Sequence, residues 1–140
     1  MRVEMYETEK QVSVSEIEKA IKKMGVKVSQ EYMDFMTDQN GGNPKVCNFT
    51  LPDGTDSSVV NVFYPIGDME GNLERKNFIF DGEIPEGFIT VGNDSGGNQI
   101  LLGVNDKVWG QIYFWDHEAD SDESMHFLAN SLNEFLNMLE

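Results

Sequence analysis

The sequence predicts an α+β fold. It reads as a single domain with a mostly antiparallel β-sheet, flanked by an N-terminal helical hairpin and a C-terminal helix. Three observations predict it. Apolar residues recur at helical spacing near both ends of the 140-residue chain. Between them, apolar and polar residues alternate in short runs bounded by Gly, Pro, Asn and Asp. Few residues separate those runs, so antiparallel pairing is the natural connection.

Residues 1–14 are polar and lack a period, which reads as a flexible arm or an extra edge strand ahead of a domain over 15–140. Ser15-Glu16-Ile17-Glu18 has the form of a capping box, in which a hydroxyl and a carboxylate satisfy free backbone N–H groups. Ile17, Ala20, Ile21 and Met24 make one apolar stripe, and Gly25 supplies a stop. Ser29 caps a second helix whose inner face carries Tyr32, Phe35 and Met36, with Asn40-Gly41-Gly42 at its end. The short link between the two helices predicts a hairpin.

The middle reads as β-structure. Cys47, Phe49 and Leu51 alternate with polar neighbours, and Pro52-Asp53-Gly54 signals a turn. Val60, Val62 and Tyr64 form the next alternating face, closed by Pro65. Residues 66–87 are ambiguous, with Leu73 to Phe80 readable as a short helix or an extended edge segment. Phe88 to Val91 is a short apolar strand. Gln99 to Val104 holds Ile100, Leu101, Leu102 and Val104 and is expected to be buried on both faces. Asn105-Asp106-Lys107 turns the chain into a strand over Val108 to Trp115, in which Tyr113 and Trp115 share one face and Phe114 takes the other. A last helix is expected over Ser124 to Leu139, with Leu128, Leu132, Phe135, Leu136 and Leu139 as its stripe.

Composition narrows the function classes. An apolar fraction of 39%, with nine Phe and two Trp, is enough for an ordinary core. The formal net charge is −15, and it is unevenly placed. Residues 1–77 hold nine Lys/Arg and 13 Asp/Glu, whereas residues 78–140 hold only Lys107 against 12 Asp/Glu. That balance disfavours phosphate backbones and anionic membranes and favours a basic partner, although simple solubility explains it too. Cys47 is the only cysteine, which suits a reducing compartment. Met1 to Glu7 has no apolar leader, and no run approaches the roughly 20 apolar residues of a membrane span. The expected location is the cytoplasm.

No motif in the chain assembles a catalyst. Asn93-Asp94-Ser95-Gly96-Gly97 has protease-like letters, but a nucleophilic Ser needs a His base oriented by an acid. Both histidines, His117 and His126, come after it, and a tight turn held by the Asp side chain explains the same letters. Asp116, Glu118, Asp120 and Asp122 alternate as in a calcium loop. The EF-hand positions for Gly and the bidentate Glu hold Ser121 and Phe127, however, so that pattern fails. An unspecific cation site and a solvated acidic loop before a helix are the alternatives. His117 reads as a loop residue and His126 as a first-turn helix residue, without zinc-ligand spacing. Phosphate-binding Gly loops and basic aromatic patches are also missing, so no cofactor, no metal and no nucleic acid is expected.

Several segments are informative when read in order. They are Tyr32-Met33-Asp34-Phe35 with Asn40-Gly41-Gly42; Ile89 to Asn98 (ITVGNDSGGN); Gly110 to His117 (GQIYFWDH); and Leu128 to Leu136 (LANSLNEFL). Together they resemble the SUKH superfamily, in its branch similar to the yeast cell-wall-assembly regulator. The resemblance covers residues 15–139, and 53–87 show no match. The chain departs from the family at Val28-Ser29, where Leu-Pro is frequent, yet Ser29 still caps. The resemblance implies an α+β fold with a mostly antiparallel sheet. It also implies a bacterial immunity protein that binds and neutralises a cognate toxin, often a nuclease. The alternative is a non-catalytic regulatory or scaffold module. An acidic inhibitor suits the positive surface a nuclease needs. The expected contacts are Asp116, Glu118, Asp120, Asp122 and Glu123, with Trp115 as an aromatic anchor.

Overall fold

A computed structural model describes residues 3–54, 56–120 and 123–140. The described elements run β1 (Met5–Tyr6), α1 (Val14–Lys23), α2 (Gln30–Asp38), β2 (Asn43–Pro44), β3 (Asn48–Thr50), β4 (Ser57–Val59), β5 (Val62–Phe63) and α3 (Leu73–Ile79). They continue as β6 (Phe88–Asn93), β7 (Gln99–Gly103), β8 (Ile112–Trp115), β9 (Met125–Ala129) and α4 (Leu132–Met138). The α+β class expected from the sequence is the observed one.

Helix α1 starts two residues earlier than its sequence signal suggested. Ser13 is the N-cap: its hydroxyl accepts from Glu16 N–H, and the Glu16 carboxylate accepts from Ser13 N–H. The box is therefore Ser13 to Glu16 rather than Ser15 to Glu18. Both serines fit the pattern, and Ile17, Ala20 and Ile21 point inward in either frame. Ser13→Ala is expected to cost about 1 kcal/mol, read as a lower chemical-denaturation midpoint, whereas Ser15→Ala leaves the midpoint in place. Ser29 caps α2 as expected, accepting from Tyr32 N–H. That helix ends at Asp38, ahead of Asn40-Gly41-Gly42. The triplet instead joins other segments: Gly42 and Phe63 exchange two backbone hydrogen bonds of 3.0 and 2.9 Å.

The main sheet is a five-stranded meander in the order β5-β6-β7-β8-β9, and every neighbouring pair is antiparallel. β1 pairs with β2, and β3 with β4, as separate two-stranded units. The alternating strand expected from Val60 to Tyr64 is thus shortened to Val62–Phe63, which joins the main sheet, and a separate strand over Ser57–Val59 ahead of it pairs with β3. The ambiguity at 66–87 resolves to helix over Leu73–Ile79, capped by the Asn72 side chain.

Two further expectations are corrected. The strand expected from Val108 begins only at Ile112, because residues 105–110 form turns under the end of β7. The helix expected over Ser124 to Leu139 is half strand: Met125–Ala129 pairs with β8, and only Leu132–Met138 is helical. Ser131 provides the cap that divides them. The apolar spacing of Leu128 and Leu132 imitates one helix although the two residues lie on different elements, β9 and α4, and β9 carries a register shift opposite Ile112 and Tyr113. Leu128 and Ala129 are buried in succession at that shift. His126 is accordingly a strand residue.

Strand β7 is buried on both faces, as its composition predicted. One face carries the row Ile89, Leu102, Ile112 and Ala129, which joins Ile17, Met36, Phe49 and Phe135 in the core. Phe49 stacks edge-on against both Phe114 and Phe135, at 5.9 and 5.4 Å between ring centroids. α1 packs against α2 and α3, and α2 against α4. The opposite face carries Thr90, Leu101, Tyr113 and Phe127 in one row.

Candidate partner-binding face

The acidic segment is the connection between β8 and β9, and local chemistry shapes it. Asp116 N–H donates to Ser124 C=O at 2.8 Å, and the Asp116 carboxylate accepts from Glu118 N–H at 3.1 Å. Glu123 N–H donates to Asp120 C=O at 2.9 Å. The loop leans on the neighbouring turn, because Asn98 Oδ1 lies 2.7 Å from His117 Nδ1 and accepts from His117 N–H. Asp116 is half-buried, while Glu118, Asp120 and Glu123 are exposed; the Glu118 side chain is 84% accessible. Asp122 lies outside the described residues. The structure thus gathers Asp116, Glu118, Asp120 and Glu123 on one loop. Trp115, directly before them at the end of β8, differs in being buried. It is only 8% exposed, and its ring stands at 89° to Phe80 with centroids 5.6 Å apart. A ring with so little free surface supports its neighbours and has little area to offer a partner.

The turn under that loop is built by Asp94. Its carboxylate accepts from Gly96 N–H, Asn98 N–H, Asn98 Nδ2 and Ser58 Oγ at 2.8–3.0 Å. That is the Asp-centred turn expected from the letters, and the carboxylate's acceptor sites are occupied by structure. Behind it, the Tyr64 hydroxyl donates to Gln99 Oε1 at 2.6 Å and Thr90 Oγ1 donates to the same oxygen at 2.7 Å. Burial pushes the Tyr64 phenol up to about 12, so it stays protonated at neutral pH. This network ties β6 and β7 to the residue after β5.

The sequence reading missed an aromatic strip. Phe88, Tyr113 and Phe127 sit on adjacent or near-adjacent strands and stack edge to face, at 5.0 and 5.6 Å. Phe127 is 39% exposed. Next to Phe88 opens a cleft of about 630 Å³ between the end of α1 and α3, lined by Met24, Val26, Phe80, Ile84 and Pro85. Phe78 stands at its edge, 81% exposed, beside exposed Ile79. Helical spacing over Ser124 to Leu139 conceals the strip, and rings on different strands meet only once register is known. Its sequence signal is slight, since Phe127 is flanked by His126 and Leu128, which do not favour a strand. Among the described residues, no group of three or more His, Cys, Asp or Glu is placed to hold a metal ion. No described helix is long and apolar enough to cross a membrane.

The family description SMI1 / KNR4 family (SUKH-1) matches residues 11–138. The chain is a SUKH-1 protein. No curated relative matches it.

The matched span of this SUKH-1 domain runs from just before the Ser13 cap to the last residue of α4, and β1, which pairs with β2, lies ahead of it. SUKH domains are known for toxin immunity and related roles and are generally non-catalytic. The Gly-rich pieces that carry the family order are structural here. In Asn40-Gly41-Gly42, Gly41 has φ +70°, and a Cβ there would lie 2.6 Å from Phe63 C=O. The described surface carries exposed carboxylates on a braced loop and the exposed rings of Phe127 on β9 and Phe78 on α3.

Proposed function

We propose that this SUKH-1 protein is a bacterial immunity protein. It binds a cognate toxin, such as a nuclease, in the cytoplasm and blocks its basic surface. The acidic loop carries the proposal, for Asp116, Glu118, Asp120 and Glu123 are gathered in a half of the chain where Lys107 is the only Lys or Arg. Such a field attracts a cationic protein and accelerates its approach. The family's general association with immunity supports the same reading.

The deciding experiment takes toxin domains encoded by genes adjacent to this one and co-expresses the protein with each. Rescue of growth and a purified complex are expected; neither rescue nor complex would reject immunity in favour of a regulatory or scaffold role. A variant with Asp116, Asp120 and Asp122 changed to Asn, and Glu118 and Glu123 to Gln, tests the loop. Its association with the toxin is expected to slow about tenfold at low salt, with the gap closing at high salt. Equal association rates at low salt would remove the loop from the interface.

A further inference from the structure

We propose that the partner docks on an aromatic face running from Phe78 across Phe88 and Tyr113 to Phe127. The partner is a basic protein whose contact element sets apolar side chains between lysines and arginines. The partner's identity as a toxin rests on the immunity reading, but the chemistry of the face does not.

Three observations meet here. The first is continuity: Phe88 both lines the cleft beside α3 and stacks on Tyr113, which stacks on Phe127. Two apolar features on separate elements are therefore one surface. The second is exposure that folding does not explain. Phe78 projects from α3 at 81% accessibility, and Ile79 beside it is exposed. Contiguous apolar surface with a polar rim is characteristic of interaction sites.

The third observation is charge. Exposed Asp81, Glu83 and Glu86 follow α3, and exposed Glu118, Asp120 and Glu123 lie on the loop that joins β8, which carries Tyr113, to β9, which carries Phe127. The cations near the cleft are Lys23 and Arg75, and Lys23 pairs with Glu74 at 4.0 Å. An apolar centre with an acidic rim fits an apolar centre with a basic rim. Aromatic rings also attract the guanidinium and ammonium groups such a partner carries. The cleft, at about 630 Å³, has room for an apolar side chain from the partner. In this arrangement the rings hold the complex together and the carboxylates steer it, so the two groups affect different rate constants.

The test has two arms, both on the full chain. The first measures the affinity of Phe78→Ser, Phe127→Ser and the double variant for the toxin domain that the wild type neutralises on co-expression, after circular dichroism confirms that each is folded. The double variant is expected to lose about thirtyfold or more in Kd, mainly through faster dissociation. Wild-type binding with unchanged affinity of the double variant would overturn the face while leaving immunity intact.

The second arm needs no toxin. A short amphipathic helix of leucine and lysine, and its leucine–glutamate counterpart, are titrated into isotope-labelled protein. Amide shifts at Phe78, Phe88, Tyr113 and Phe127 are expected with the lysine peptide only, and are expected to vanish in the double variant. Shifts confined to the 116–123 loop, shifts with both peptides or no shifts at these four positions would overturn the proposal. Shifts on this face without toxin binding would reject the immunity reading alone.

Discussion

Gly103→Ala is expected to destabilise the protein by about 3–4 kcal/mol, at the upper end of what a single substitution costs. A Cβ at this position would lie 1.8 Å from the Val108 carbonyl oxygen and 2.7 Å from its carbon. Those are backbone atoms, so a rotamer change cannot relieve the clash. Gly103 is also held from both directions, donating to Gln111 C=O at 2.8 Å and accepting from Gly110 N–H at 3.0 Å. Moving the 105–110 turn away breaks the hydrogen bonds that align β8 with β7. Because β7 is the central strand and is buried on both faces, the cost reaches the core. Chemical denaturation should show a lower midpoint with an unchanged slope. A loss under about 0.5 kcal/mol, the size of an ordinary surface change, would show that the turn yields easily.

Asn40→Ala is expected to cost about 2–4 kcal/mol, because two buried backbone groups of Ile66 and the partly buried Lys10 carbonyl lose their partners. Asn40 is 1% exposed. Its Nδ2 donates to Lys10 C=O at 2.9 Å and to Ile66 C=O at 2.8 Å, and its Oδ1 accepts from Ile66 N–H at 2.8 Å. One side chain thereby joins the approach to α1, the end of α2 and the segment before α3. Asn40→Asp is the sharper test. It keeps the shape and the acceptor but sets a carboxylate against two carbonyl oxygens, so near neutral pH it should be at least as damaging as Asn40→Ala. Protonation restores one donor, so its deficit relative to wild type should shrink as pH falls. A near-neutral Asn40→Ala would show that solvent replaces the three bonds.

Asn40 also shows how much of this protein was legible beforehand. Asn40-Gly41-Gly42 stood out in the sequence as a helix stop. The glycines do take a conformation that suits glycine, but the asparagine acts on residues 30 and 26 positions away. No local pattern carries that information. Asp94 was more readable, since most of its partners lie within four residues and follow from ordinary Asp turn chemistry. The acidic loop was legible as a charge run, and the structure adds that Asn98 braces it through His117. Trp115 looked like an anchor because it is large and precedes acids. Its burial against Phe80 depends on a helix 35 residues earlier in the chain, in the stretch the sequence left ambiguous.

Sequence by itself determined the α+β class, the Ser29 cap, the two-sided burial of β7, the acidic second half and the order of segments that marks the family. These rest on neighbours a few residues apart, where hydrogen-bond reach and side-chain period are set by the chain itself. Tertiary structure alone decided that Met125–Ala129 is a strand, that Trp115 supports Phe80, and that Phe78, Phe88, Tyr113 and Phe127 form one surface. The physical reason is common to all three. Strand pairing and aromatic contact are made between distant segments, so their geometry exists only after register and packing bring those segments together.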